Sequence, residues 1–261
     1  MRIDVEPYFA RIGYSGDRAP TLAALTELHR AHLAAIPFEN LDVQLGRPIL
    51  LDLPSLEAKL LGARRGGYCF EQNSLFAAVL DELGFDVTRI GARVRLGTEK
   101  VRARTHMLLA VALDGANWIA DVGFGVQGIL EPVLAAPGEV DQNGWRFRIV
   151  EEGHALVLQS LFRDEWSDLY AFTLEEQYLA DYELANYYTS THPDSMFVTT
   201  LIAQRVCPDL RLALSATDLR EIRPASTETT AVESDEALLA ILAERFGLAF
   251  PDGTRFRKRS A

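Results

Sequence analysis

The chain has 261 residues, of which 48% are hydrophobic and 24% are charged. This length is ample for a buried core, and the balanced composition excludes disordered, collagen-like and low-complexity proteins. The formal net charge of −11 has the wrong sign for sequence-independent binding to nucleic acid or to an anionic membrane surface.

Segment hydropathy and the cysteine content indicate the cellular compartment. No run of apolar residues approaches the ~20 that would span a bilayer, and the N-terminus lacks a hydrophobic signal core. The two cysteines, Cys69 and Cys207, match neither a disulfide framework nor a zinc site. We therefore expect a cytoplasmic protein without a bound metal.

Helical patterns dominate the first third of the sequence. Leucines recur at helical spacing after Thr21, which is a candidate N-cap, and Pro37 is expected to end that helix. A short helix is predicted from Pro54 to Leu61, and a longer one from Tyr68 to Leu83.

The pattern changes at Val87. From there to Phe172, short apolar or alternating runs are separated by turns containing Gly or Asp, which predicts an antiparallel barrel or sandwich. Helix-like sequence returns from Leu179 to Val206, and strands are predicted at 210–223 and 227–232. Ser234 is expected to cap a final helix that ends near Gly247.

The segment RGGYCFEQN places Cys69 in the opening turn of a helix, behind a diglycine that we expect to be flexible. Unpaired N–H groups and the helix dipole at this position favour the thiolate over the thiol. An isolated cysteine is more often a small buried hydrophobic residue, so the setting alone leaves that interpretation open. Cys207 lacks such a setting and is interpreted as structural.

A thiolate nucleophile needs a base, and the base needs a group that fixes its tautomer. His106 opens the strand-like run HMLLAVAL, and Asp114-Gly115 predicts a two-residue hairpin loop after it. With that loop, Asp121 on the next strand lies diagonally from His106 on the same face. Exposed or hydrogen-bonded structural roles are predicted for the other histidines, His29, His32, His154 and His192.

Four ordered strings resemble the arylamine N-acetyltransferases: IPFENLDV (36–43), RGGYCFEQN (65–73), RTHMLL (104–109) and DVGFG (121–125). With YFARIGY and THPDSMF, the resemblance extends from about Tyr8 to Leu248. It implies an α+β fold with a papain-like Cys-His-Asp triad. It also implies a helical bundle at 1–85 carrying the nucleophile, an antiparallel β-barrel at 86–193 carrying His and Asp, and an α/β lid at 194–261.

The resemblance implies that Cys69, His106 and Asp121 are the catalytic residues. The residues it suggests for substrate binding are Phe38, Phe124 and Phe197 as walls of the acceptor pocket, Thr105 and Gly125 where acetyl-coenzyme A enters, and Val94. The implied reaction moves acetyl from acetyl-coenzyme A to an arylamine or arylhydrazine nitrogen, through an acetyl-cysteine in a ping-pong mechanism. We expect no permanently bound cofactor, small-molecule partners (acetyl-coenzyme A and the arylamine), and a monomer or a homodimer.

Two sets of charged residues are candidates for supporting roles. Glu39 and Arg65 have opposite charge and flank the nucleophile segment, so we predict that they pair and fix its loop. Coenzyme A is anionic, and five basic residues between the nucleophile helix and His106 could line its path or form a solvated strand face: Arg93, Arg95, Lys100, Arg102 and Arg104.

Three alternative functions use the same residues. The amide synthases that release and cyclise ansamycin polyketides share the scaffold, and two departures keep them open: a compact segment from Arg95 to Thr105, and a chain end soon after Phe250. A hydrolase of the papain or transglutaminase type would use the same triad, but the four strings disfavour it. A non-catalytic binding module is disfavoured by the intact Cys, His and Asp.

Overall fold

Helices make up most of the N-terminal third and return near the C-terminus. The structure, a computed structural model, describes residues 2–98 and 100–257. In chain order the helices are α1 (Val5–Ile12), α2 (Leu22–Ala35), α3 (Leu41–Gln44), α4 (Leu53–Leu56), α5 (Cys69–Glu82), α6 (Leu179–Thr191), α7 (Met196–Thr199) and α8 (Asp235–Phe246). A π-helical turn, Glu57–Gly62, continues α4. Within the described residues, no helix has both the length and the apolar character needed to cross a bilayer.

The predicted helix boundaries near the site are confirmed. Thr21 Oγ1 accepts the N–H of Ala24 at 3.2 Å and so caps α2. The helix stops at Ala35 because a residue before proline is disfavoured in helical geometry. Helix α5 begins at Cys69, and its core side chains are fully buried: Leu75, Phe76, Val79 and Leu80.

The strands form two antiparallel sheets. In chain order they are β1 (Phe38–Glu39), β2 (Asp86–Val94), β3 (His106–Leu113), β4 (Ala116–Ala120), β5 (Val133–Leu134), β6 (Gly138–Gln142), β7 (Trp145–Glu152), β8 (Ala155–Phe162), β9 (Glu165–Glu176), β10 (Ala203–Val206), β11 (Arg211–Leu214), β12 (Asp218–Arg223) and β13 (Ser226–Ala231).

The larger sheet has the strand order β5-β4-β3-β2-β9-β8-β7-β6. It curls into a nearly closed barrel, in which residues of the two end strands, β5 and β6, line one cavity of about 240 Å³. Helix α5 packs against β2 and β3. Cys69, the first residue of α5, interacts with His106, the first residue of β3. The predicted α+β class with an antiparallel barrel is confirmed.

The smaller sheet joins distant parts of the chain. Its order is β1-β10-β11-β12-β13, with Phe38 of β1 opposite Gln204 of β10. The prediction of helix through Val206 is wrong here. Helix α6 ends before Pro193, and Ala203–Val206 is a strand because it pairs with β11, the next strand along the chain, and with β1, which is far away in sequence.

The C-terminal helix covers this smaller sheet and is bounded as predicted. Ser234 accepts the N–H of Ala237 at 3.1 Å, and Gly247 adopts a left-handed conformation at φ 69°. Leu242 and Phe246 of α8 pack with Leu212 of β11 in a second apolar core. The division of the chain into a helical bundle, a barrel and a lid at 85/86 and 193/194 stays a prediction. Residues 258–261 of the predicted lid lie outside the described residues.

Candidate active site

Cys69 occupies the first position of α5 and is 3% exposed. The side chain of Glu71 accepts the N–H of Tyr68 at 3.0 Å and so closes the first turn of the helix. Cys69 Sγ lies 3.8 Å from the carbonyl oxygen of Thr105, at the start of β3. The thiol therefore lies at the positive end of a helix dipole and faces the barrel.

The diglycine before Cys69 is a close-packed segment, and the expectation that it is flexible is wrong. A Cβ on Gly66 would lie 2.0 Å from the carbonyl oxygen of Pro37. Gly67 accepts the N–H of Glu39 at 3.0 Å and forms a parallel bridge with Phe38. Glycine is required at 66 because the IPFEN segment passes where a side chain would stand.

His106 and Asp121 form the hydrogen bond that the hairpin predicts. Leu113 pairs with Ala116 across the two-residue loop, and the ladder continues to Leu109 opposite Ala120. Nε2 of His106 lies 2.7 Å from Oδ2 of Asp121, and both residues are buried. Asp121 lies one residue beyond the end of β4, so only its side chain, and not a backbone strand pair, connects it to His106.

Hydrogen-bond donors contact both carboxylate oxygens of Asp121 and favour its ionised form. Its Oδ1 accepts from Asn73 Nδ2 and from the N–H of Gly123, each at 3.0 Å. Burial acts to raise the pKa of Asp121, but the charge of His106 and these hydrogen bonds outweigh burial and lower it. The carboxylate is therefore ionised and directed at the imidazole.

The imidazole of His106 is correspondingly basic. Burial acts to lower its pKa, but the charge and hydrogen bond of Asp121, with a contribution from Cys69, raise it. Gly123 allows the hairpin to approach the helix, since a Cβ there would lie 2.7 Å from Cys69 Cα. A cysteine, an imidazolium and a carboxylate thus meet in one buried site.

Glu39 and Arg65 pair, as predicted. Arg65 donates through Nε and Nη2 to Glu39 Oε1 at 2.9 and 2.7 Å. Glu39 is fully buried and also accepts the N–H of Leu41 at 2.6 Å. The pair joins the loop before the nucleophile to β1.

Sequence reasoning missed the cation at the other side of this loop. Lys59 Nζ lies 2.6 Å from Glu71 Oε1 and 2.7 Å from Asp42 Oδ2. Burial acts to lower the pKa of Lys59, but the two carboxylates and Glu39 raise it. The carboxylate that caps the nucleophile helix is therefore charge-paired, which no spacing in the sequence indicates.

Aromatic rings contact the triad histidine and Tyr68, the residue before the cysteine. Phe124 lies 5.0 Å from His106, edge to face, and Phe38 lies 6.0 Å from Phe197, ring centre to ring centre. Phe197 also packs on Tyr68 at 5.6 Å. The side-chain amides of Asn40 and Gln44 both donate to the carbonyl oxygen of Phe197 at 2.8 Å. These two bonds hold α7, the helix that carries Phe197, against the segment after β1.

The remaining substrate candidates lie at different distances from the thiol. Thr105 contacts Cys69 through its carbonyl oxygen. Gly125 has φ 81° and packs against Gln204, where a Cβ would meet Oε1 at 1.9 Å. Val94 lies opposite Tyr170 in the barrel, and Tyr170 packs 4.9 Å from His106. Tyr170 therefore connects Val94 to His106 of the triad.

The basic residues before His106 are exposed or take part in surface ion pairs. Arg95 pairs with Glu152 at 2.6 Å and with Asp168 at 3.1 Å, and Arg104 pairs with Glu175 at 2.9 Å. The side chains of Arg93, Lys100 and Arg102 are exposed. Arg95 and Arg104 are therefore engaged in ion pairs with acidic residues of the barrel strands β7 and β9.

Of the other histidines, His32 and His154 take the structural roles predicted for them. His32 is buried and bonds Tyr8 and Gln72, whereas His154 is exposed. His29 is also buried, but it bonds the backbone of Asp121, a contact that the sequence does not indicate. In residues 2–98 and 100–257, no group of three or more His, Cys, Asp or Glu side chains is arranged to hold a metal ion.

Comparisons with known proteins cover nearly the whole chain. A family model described as N-acetyltransferase matches residues 21–254. A protein of Mycolicibacterium smegmatis named arylamine N-acetyltransferase is 39% identical over 97% of this chain and 94% of its own. Another protein of that name, from Escherichia coli K12, is 41% identical over 94% and 89%, respectively.

Solved structures agree over the same length. An arylamine N-acetyltransferase from Salmonella typhimurium superposes with a TM-score of 0.91 at 36% identity, over 98% of this chain and 95% of that one. The Mycobacterium marinum enzyme of the same name, in complex with CoA, gives a TM-score of 0.89 at 39% identity, over 94% and 93%.

Proposed function

Since this chain belongs to the arylamine N-acetyltransferase family, we propose that Cys69, His106 and Asp121 are the catalytic residues of its acetyl transfer. The protein transfers acetyl from acetyl-coenzyme A to an arylamine nitrogen. One observation carries the assignment of residues: the 2.7 Å bond between His106 and Asp121 beside a cysteine at a helix start. We extend the acceptors to arylhydrazines, whose terminal nitrogen is also nucleophilic.

In the first half-reaction, the Cys69 thiolate attacks the carbonyl carbon of the thioester. The carbon–sulfur bond to coenzyme A then breaks, and His106 gives the proton that lets coenzyme A leave as the thiol. The N–H groups of the first turn of α5 have no acceptor within the helix. We propose that the N–H of Cys69 is among those that stabilise the oxyanion.

In the second half-reaction, the amine nitrogen attacks the acetyl-cysteine. His106 accepts the proton from the amine, and the Cys69 thiolate is the leaving group. Asp121 stabilises the imidazolium, and holds the tautomer of the neutral imidazole, through Oδ2, because Oδ1 is occupied by Asn73 and Gly123.

The aromatic residues around the thiol suit a flat, apolar acceptor. We propose that Phe38, Phe124 and Phe197 contact the arylamine ring. Phe124 packs on His106, and Phe197 packs on Phe38 and on Tyr68, the residue before Cys69. We propose that acetyl-coenzyme A enters past Thr105 and Gly125, with Val94 further along the same wall.

We also propose that the protein works in the cytoplasm, where its two free cysteines stay reduced. We further propose that it is a monomer or a homodimer, which light scattering during gel filtration will show directly.

Steady-state kinetics test the proposed residues. With acetyl-coenzyme A and a simple arylamine varied against each other, double-reciprocal plots should give parallel lines, because the first product leaves before the second substrate reacts. Cys69→Ser should abolish turnover, since a serine hydroxyl is hardly ionised at neutral pH. Cys207→Ser is the matched control and should keep the activity of the natural protein. Turnover by Cys69→Ser would contradict the assignment.

The choice of donor separates this function from the ansamycin-type amide synthases. The relatives above are named as acetyltransferases, which favours acetyl-coenzyme A. Rapid uptake of longer acyl thioesters together with no uptake of acetyl would contradict that function. Acetyl uptake followed only by water attack would indicate a hydrolase.

A further inference from the structure

The backbone around Asp121 lies beyond the end of its strand. The ladder between β3 and β4 stops at Leu109 opposite Ala120. The next three N–H groups are buried and need other acceptors. The N–H of Val122 is accepted by Asn73 Oδ1 at 3.1 Å, and that of Gly123 by Asp121 Oδ1 at 3.0 Å. The N–H of Asp121 itself is accepted by His29 Nε2 at 3.1 Å.

The tautomer of His29 follows from its second contact. Nδ1 lies 2.9 Å from the carbonyl oxygen of Leu130, which can only accept, so Nδ1 carries the hydrogen. In the neutral ring Nε2 then has a free lone pair directed at the N–H of Asp121. The ring is 0% exposed, and its burial lowers the pKa of His29 to about 4, so the neutral form prevails at neutral pH.

We infer that His29 is a positioning residue for acyl transfer: it fixes the main chain of Asp121 so that the carboxylate of Asp121 stays directed at His106. This inference rests on the proposed catalytic role of Asp121. Two helices hold the triad carboxylate, α2 through His29 at the main chain and α5 through Asn73 at Oδ1.

The bond matters because the amide and the carboxylate of Asp121 belong to one residue with few free torsions. An N–H that loses its acceptor in a dry interior must move toward another acceptor or remain unsatisfied. The first response turns the side chain away from His106, and the second leaves the main chain of Asp121 without the bond that holds it in place. The distance of 2.7 Å between His106 and Asp121 leaves little tolerance for either change. The hydrogen bonds from Asn73 and Gly123 to Asp121 remain, so we expect the protein to fold. Its Asp121 carboxylate should be misdirected relative to His106.

Two amide substitutions separate positioning from packing. The amide nitrogen of asparagine stands as far along its side chain as Nδ1 does in histidine, and the amide oxygen of glutamine stands as far as Nε2. His29→Asn therefore keeps the donor to Leu130 and loses the acceptor for Asp121. His29→Gln keeps the acceptor for Asp121 and loses the donor to Leu130.

The experiment follows acylation of the purified variants with p-nitrophenyl acetate as acetyl donor, read as release of nitrophenolate. His29→Gln should stay within about threefold of the natural protein, whereas His29→Asn should slow acylation at least about tenfold, the value of one lost hydrogen bond. Iodoacetamide labelling of Cys69 across pH, read by mass spectrometry, should move to higher pH in His29→Asn only, since a misdirected Asp121 stabilises the thiolate–imidazolium pair less.

Melting temperature distinguishes a structural role. If both variants slow acylation in proportion to their loss of melting temperature, with unchanged labelling profiles, His29 is structural and the inference is wrong. Equal, natural-like rates in both variants would overturn it as well. Failure of the proposed function looks different: the natural protein itself would show no nitrophenolate burst.

Discussion

Lys59 offers a quantitative test of the charge network behind the nucleophile. Its Nζ contacts Glu71 at 2.6 Å and Asp42 at 2.7 Å, and the side chain is 17% exposed. Lys59→Met keeps the apolar stem but leaves the buried carboxylate of Glu71 without its cation, whereas Asp42 keeps Arg65 at 3.3 Å. Removing one partner of a buried ion pair costs about 3–5 kcal/mol of unfolding free energy. For a protein of this size, the melting temperature should fall by about 6–20 °C.

The loss should depend on pH. Burial already raises the pKa of Glu71, and the loss of Lys59 should raise it further. When a carboxyl group has a higher pKa in the folded protein than in the unfolded chain, the unfolding free energy of the protein falls as pH rises through the folded pKa. The deficit of Lys59→Met should therefore be larger at pH 8 than at pH 5, in chemical denaturation at both values.

Arg47→Met is the matched control. Arg47 also contacts Asp42, at 3.5 Å, but its side chain is 61% exposed. An exposed pair contributes at most about 1 kcal/mol, so this variant should unfold almost as the natural protein does. Equal deficits for Lys59→Met and Arg47→Met, or a Lys59→Met deficit that is the same at pH 5 and pH 8, would refute the reasoning.

Three further predictions concern the triad and its loop. Asp121→Asn should fold but lose most of its acylation rate, because the amide favours the wrong tautomer of His106; stopped-flow acylation checks this, and an unchanged rate would contradict it. Iodoacetamide at neutral pH should label Cys69 much faster than Cys207 by mass spectrometry, with His106→Ala removing most of the difference; equal labelling would make Cys69 structural. Glu39→Gln should lower the acetylation rate by freeing the loop, and circular dichroism verifies that the variant folds; unchanged kinetics would count against a positioning role.

Local signals predicted the hairpin and the nucleophile helix well. Asp114-Gly115 set the loop length, and the loop length set the pairing of Leu113 with Ala116, so the face shared by His106 and Asp121 followed from alternation. The start of α5 followed in the same way from its apolar spacing. In each case the determining contacts lie within a few residues.

Contacts between distant segments were beyond the sequence. Ala203–Val206 lies next to the sheet edge formed by β1, which is more than 160 residues earlier in the chain, and this distant pairing has no local signal; its helix-like pattern was therefore misread. Gly66 was expected to be flexible, but a side chain at this position would collide with the carbonyl oxygen of Pro37. Lys59 and His29 reach the site from other helices, and no motif or spacing marks them.

Intact-mass analysis after mixing with acetyl-coenzyme A tests the central claim most directly. The account predicts one added acetyl group on Cys69, absent in Cys69→Ser, which disappears when an arylamine is added and appears as N-acetylated amine. A protein that stays unmodified, carries acetyl elsewhere than on Cys69, or passes acetyl only to water would contradict it.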